Sequence, residues 1–253
     1  TLDECRYFFR DEGCHYDDYD IVTAYMAFGG IPYYLSQFQE SLSVAQNIDA
    51  LLFDSNSLLD GEFAKLFNSQ FANAGQLQEI VSVLGKTRYG MTRADLLKSL
   101  KQVSGGGFSD NIAALEKSRL ITAFTPFGEK KSVLKYRLSD PFCNFYLHHV
   151  KDNEGQPHFW EQNYNSAKMN SWLGLAFEDV VFAHIYQIKR ALGIQGVASR
   201  ESSFHIEAGD NLQGMQADLI IDRDDRIINL CEIKFSRDDY VVSGDYARTI
   251  ASR

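Results

Sequence analysis

The sequence predicts an α+β multidomain protein: helical segments first, a helix-rich middle closed by a short hairpin, and an α/β region last. Three observations predict it. Residues 1–66 are acidic and read as helices broken by sharp turns. Residues 76–138 read as three helices and then two short strands. From Trp172 onward a helical stripe is followed by two apolar strand runs, 216–221 and 228–235. The expected organisation is a helical segment over 1–68, a helix–hairpin unit over 69–140, a linker and packing segment over 141–170, and an α/β domain over 171–253.

Composition bounds the classes. A chain of 253 residues, 45% of them apolar, suffices for two or three small cores. No run of about 18 uncharged apolar residues occurs, and no charged-then-apolar leader, so neither a membrane partner nor a membrane anchor is expected. Cys5, Cys14, Cys143 and Cys231 are scattered without disulfide or metal spacing, which fits a reducing cytoplasm. The net charge of −9 hides a pattern: −10 over 1–85, +7 over 86–137 and −6 over 138–253. A basic middle between acidic flanks is the asymmetry that bears on nucleic acid.

In the first segment, Gly29-Gly30 before Ile31-Pro32 ends one helix, and Pro32 suits the first turn of the next. In the middle, Leu77, Ile80, Val81 and Leu84 form a helical stripe that Gly85 closes. Thr92 with Asp95 makes a capping box. Ser109 is expected to cap a third helix from Asp110. Strands around Phe124 and Leu134–Leu138 flank a Gly128–Lys131 turn. Three helices and a basic hairpin describe a winged helix-turn-helix. Its candidate nucleic-acid contacts are Arg93, Lys117, Lys130 and Lys131, with the hairpin lysines reaching phosphate. The third helix offers Asp110, Asn111 and Glu116 against Lys117 alone, which suits a spacer or protein-binding module equally. Residues 151–157 read as a linker, Trp160 and Trp172 as packing between domains, and His148-His149 as an interface or surface pair.

The last region carries the chemistry. Asp218 lies in the run 216–221, and Glu232 and Lys234 in the run 228–235. A charge in an apolar strand is costly unless it is paired or binds metal. Glu232 and Lys234, two apart, share a strand face. Arg223–Arg226 reads as a turn, so the two strands pair as a hairpin with Asp218 beside Glu232. On the preceding helix, Glu178 flanks an apolar stripe formed by Phe177, Val180, Val181, His184, Ile185 and Ile188. Carboxylates in this number hold a hard divalent cation, Mg²⁺ or Mn²⁺, and a lysine can orient water for phosphodiester hydrolysis. The plain alternative is a half-buried salt bridge.

The order acid on a helix, Asp on a strand, then Glu-x-Lys resembles the PD-(D/E)XK nuclease superfamily. The resemblance implies Glu178, Asp218 and Glu232 as metal ligands, the Ile233 carbonyl as a further ligand, and Lys234 as the residue orienting water. Gln216 would position a phosphate or water. Ala217 stands where that family carries proline.

A second resemblance covers essentially the whole chain. Tyr25–Leu35, Tyr136–Phe142, Trp172–Glu178 and Gln216–Ile221 are similar, in order, to the C-terminal region of an archaeal and bacterial AAA-type (STAND-like) ATPase family. That region comprises a helical lid, a winged helix and a nuclease-like domain of unknown function. The chain has no Gly-x-x-x-x-Gly-Lys-Ser/Thr, so ATP is expected only in a parent's own ATPase core, which would also be a partner. The resemblance further implies a strand after the helix from Asp245, so the last domain is expected to be incomplete at Arg253. The fragment is expected to be monomeric or a weak dimer. Two functions stand: a metal-dependent nuclease acting on DNA, with RNA open, or a non-catalytic DNA-binding or protein-interaction module regulated by the ATPase.

Overall fold

The computed structural model describes residues 1–103, 105–206 and 215–251. It is a mixed α+β chain in two compact units, Thr1–Phe124 with Leu134–Ala176, and Thr125–Val133 with Phe177–Arg253. Among the described residues no helix is long and apolar enough to cross a membrane.

The first unit opens with α1 (Leu2–Asp11), α2 (Asp18–Phe28), α3 (Pro32–Leu35), α4 (Val44–Leu52) and α5 (Glu62–Gln70). Gly29 caps α2 with φ +65°, a left-handed conformation that glycine adopts without a Cβ penalty, and Pro32 begins α3 as expected. Aromatic side chains supply most of the core. Phe9, Phe28 and Phe38 pack ring to ring, Phe53 stacks on Phe159 at 4.9 Å, and Phe63 stacks on Tyr146 at 4.4 Å.

The middle of the chain forms α6 (Ala74–Leu84), β1 (Met91–Thr92), α7 (Arg93–Leu100), α8 (Gly106–Lys117), β2 (Ile121–Phe124) and β3 (Lys135–Leu138). The strands make an antiparallel sheet ordered β1-β3-β2. The short β1 has no alternating run to announce it. Gly90 permits its pairing: at φ +67°, a Cβ there would lie 2.8 Å from the Tyr136 carbonyl oxygen. Thr92 and Asp95 form the expected capping box. The helix α8 starts four residues earlier than expected, with Gly105 as its cap. Ser109 is thus inside the helix, its hydroxyl donating to the Gly105 carbonyl at 3.4 Å. Asn111, expected to face outward, is buried and donates to Gln76 at 3.0 Å.

Next come α9 (Pro141–Phe145), a π-helical turn over Tyr146–Val150, α10 (Phe159–Asn163) and α11 (Ala167–Ala183). His149 is not a surface residue. It is 3% exposed among Phe145, Trp160 and Trp172, the last at 4.6 Å edge to face, and its Nε2 has no hydrogen-bond partner. Trp160 and Trp172 therefore pack within the first unit. Asp49 ties α10 down: its buried carboxylate accepts from the Trp160 N–H at 2.7 Å and the Glu161 N–H at 2.9 Å.

The second unit contains the end of α11, α12 (Ile185–Ala191), β4 (Ser199–Ile206), β5 (Met215–Arg223), β6 (Ile228–Cys231) and α13 (Gly244–Ala251). The strands form an antiparallel sheet ordered β4-β5-β6. Leu219 and Ile221 pack with Ile194 against Val181, Phe182 and Ile185. The helical stripe expected to continue past His184 breaks there, where the imidazole Nδ1–H donates to the Val180 carbonyl at 2.8 Å. The segment after Asp245 is helical as expected; Ser252 and Arg253 lie outside the described residues.

Two predictions follow from the first unit's packing. Replacing Asp49 by alanine leaves the buried Trp160 N–H and the half-buried Glu161 N–H without an acceptor. We expect urea denaturation to show a loss of about 2–4 kcal/mol. For His149, burial is the main cause that pushes the imidazole down to about 3, helped by His148 and Lys168. The folded state binds fewer protons than the unfolded state between pH 3 and 6.5. Stability is therefore present above the unfolded value and lost as pH falls through that window, by up to about 1.4 kcal/mol per pH unit. In His149→Phe, the urea midpoint should fall less between pH 7 and pH 4.5 than in the unsubstituted protein.

Candidate functional site

The candidate site grows out of the β5–β6 hairpin. Arg226 adopts φ +67° in the turn, and the Arg223 N–H donates to the Ile227 carbonyl at 3.0 Å. Pairing runs from Asp222 with Ile228 to Leu219 with Cys231. Continuing that register would set Asp218 against Glu232, as the sequence suggests. The ladder stops there, so β6 is shorter than the apolar run 228–235. The cause is Asp218 itself. Its Oδ2 accepts from the Ile233 N–H at 3.0 Å, taking over the ladder's role with a side chain.

Asp218 is 3% exposed, and its Oδ1 accepts from the Gln216 amide at 3.0 Å. Glu232 Oε1 accepts from Lys234 Nζ at 2.8 Å and from the Tyr246 hydroxyl at 2.6 Å. Lys234 Nζ stands 3.8 Å from Asp218 Oδ2 and lies over the Tyr246 ring, 5.5 Å from its centroid. Burial works against the lysine's charge, but its hydrogen bonds to Glu232 and Tyr246 and the nearby carboxylates outweigh it. The Lys234 pKa is raised above the ordinary lysine range. It therefore acts as a fixed ammonium and not as a general base at neutral pH. Burial, followed by the Glu232 contact, raises the Tyr246 phenol, which keeps it a donor.

The structure thus brings Asp218, Glu232 and Lys234 together. Glu178 sits half-buried on α11 in the same unit. Its neighbour Phe177 packs on Phe235, the neighbour of Lys234, at 5.1 Å. Among the described residues no three His, Cys, Asp or Glu side chains are arranged to hold a metal, so Glu178 does not complete a three-acid set in this geometry. The donor types fit a hard cation: two carboxylates and the Ile233 carbonyl. The place between the carboxylates is held by the Lys234 ammonium, so a bound cation must displace it.

Tyr246 is the site residue that the sequence did not announce. It lies 12 residues beyond Lys234, on a separate helix whose stripe names no partner. Of the basic residues, Lys117, Lys130 and Lys131 are exposed. Arg93 is half-buried, with its guanidinium over the Phe108 ring at 5.0 Å. Arg93 and Lys117 belong to the first unit, Lys130 and Lys131 to the second. Comparison with known protein families, curated proteins and solved structures finds no match to this chain.

Removing the competing ammonium should expose the carboxylates to cations. We expect Lys234→Ala to bind Mn²⁺ about tenfold more tightly than the unsubstituted protein by calorimetric titration. Unchanged or weaker binding would show that Asp218 and Glu232 are not the ligands.

Proposed function

We propose that this chain is the C-terminal effector region of a P-loop ATPase, with a lid-like helical segment and a winged helix, and that its last domain is a metal-dependent nuclease hydrolysing DNA phosphodiester bonds. The observation that carries the nuclease reading is the meeting of Asp218, Glu232 and Lys234 at one end of the hairpin, two acids and an ammonium drawn from β5 and from the segment that follows β6.

Asp218 and Glu232 are the ligands for Mg²⁺ or Mn²⁺ in this reading, with the Ile233 carbonyl beside them and Glu178 recruited from α11. When bound, the cation supplies an activated water and neutralises charge on the phosphate. The chain's own groups orient and polarise. Lys234, held charged, orients the attacking water and stabilises negative charge building on the phosphate oxygens. Tyr246 fixes the Glu232 carboxylate by donating to Oε1. Gln216 holds Asp218 in place. Arg93, Lys117, Lys130 and Lys131 would contact the nucleic-acid backbone. This supplies positive charge that the acidic last domain, at −4 over 171–253, lacks.

One observation favours a second reading. Lys234 bridges both acids, the arrangement of a purely structural ion pair, in which case the region is a non-catalytic DNA-binding or protein-interaction module regulated by an ATPase.

The assay that separates them incubates the chain with linear DNA, supercoiled DNA and RNA in Mg²⁺ or Mn²⁺. Asp218→Ala and Lys234→Ala run alongside, with circular dichroism as the check on folding. The nuclease reading expects cleavage that falls at least 100-fold in both variants. No cleavage by the folded, unsubstituted chain on any of the three would leave the binding module as the reading.

A further inference from the structure

A cavity of about 360 Å³ opens in the second unit, directly beside the candidate site. Phe127 and Phe204 line it as an edge-to-face pair, 5.8 Å between centroids, and Ile220 and Leu230 line it from the paired strands β5 and β6. The lining is almost wholly apolar. Its polar members are Gln216 and Glu232, both from the site cluster. The Gln216 amide nitrogen is engaged by Asp218, so its side-chain oxygen is the acceptor it offers. A cavity of this size, apolar with a few convergent polar atoms, is typical of a small-ligand pocket.

We propose that this cavity is a nucleobase subsite and that the substrate strand is single-stranded or has a nucleotide extruded; the proposal rests on the nuclease reading above. Glu232 belongs to both the cavity and the cluster. A group seated in the cavity is therefore one residue from the place where the scissile phosphate sits. In nucleic acid, the uncharged planar group at that distance from a phosphate is the base. Aromatic and aliphatic walls accept its faces, and the Gln216 and Glu232 oxygens accept from its amino edge. A base stacked and paired in a duplex cannot enter, so the strand must be unpaired there.

The test is a fluorescence titration of the full chain, in Ca²⁺ to suppress turnover, with a short single-stranded DNA carrying 2-aminopurine. The same strand with an abasic site, and a perfect duplex containing the 2-aminopurine, are the comparisons. We expect the single strand to bind about tenfold more tightly than either. Leu230→Glu, at a residue 55% exposed, puts a charge at the cavity without touching the core and should abolish the difference. Equal affinity for the base-bearing and abasic strands, or for strand and duplex, would overturn the subsite. Base-dependent binding with no cleavage of any substrate would keep the subsite and sink the nuclease reading. Cleavage without base dependence would do the reverse.

Discussion

The second unit's geometry depends on the carboxylate of Asp218. A charge this deeply buried is tolerable only because three donors meet it: the Gln216 amide, the Ile233 N–H and, at longer range, the Lys234 ammonium. The Ile233 contact has the widest consequence. A side chain supplies the acceptor where the next ladder pairing would fall, so the strand ends at Cys231 while the chain remains held alongside β5. Glu232 and Lys234 are thereby fixed beside Asp218 without being part of the ladder. Removing one member of such a buried set typically costs about 3–5 kcal/mol, because the others are left uncompensated.

This arrangement is chemically ambivalent for a physical reason. The same Coulomb attraction that lets two carboxylates bind a divalent cation also lets them bind an ammonium. Lys234 sits where it balances both, and Tyr246 stabilises the balance by donating to Glu232 under the lysine's charge. An ion pair of this kind is a closed state if a cation can displace the lysine, and a structural fixture if it cannot. The neighbouring cavity adds an argument from shape, since an apolar, aromatic-walled space touching the acid cluster has no part in holding the ion pair together.

Much of this was legible in the chain because it rests on local chemistry. The capping box of Thr92 and Asp95, the glycine stop and proline start at Gly29 and Pro32, and the apolar runs around Asp218 each declare themselves within a few residues. The hairpin register followed from the turn at Arg223–Arg226. Other features depend on contacts far apart in sequence. His149 and Asn111 look polar and outward, yet each is buried by partners that no local pattern names. The early start of α8 places the exposed Gly106 and Gly107 in a helix that propensity disfavours, just ahead of the buried Phe108. At the His184 break the imidazole and the backbone N–H share the Val180 carbonyl, and β6 ends where Asp218 replaces a ladder contact. Tyr246 enters the site only because α13 folds back onto Glu232.

The central claim is that Asp218 and Glu232 form a cation site held shut by Lys234. Anomalous diffraction from crystals grown with Mn²⁺ tests it most directly. The account predicts a manganese peak at about 2.0–2.2 Å from an oxygen of each carboxylate, with the lysine ammonium withdrawn from between them. Well-ordered side chains with Lys234 still bridging both acids and no manganese between them would contradict it.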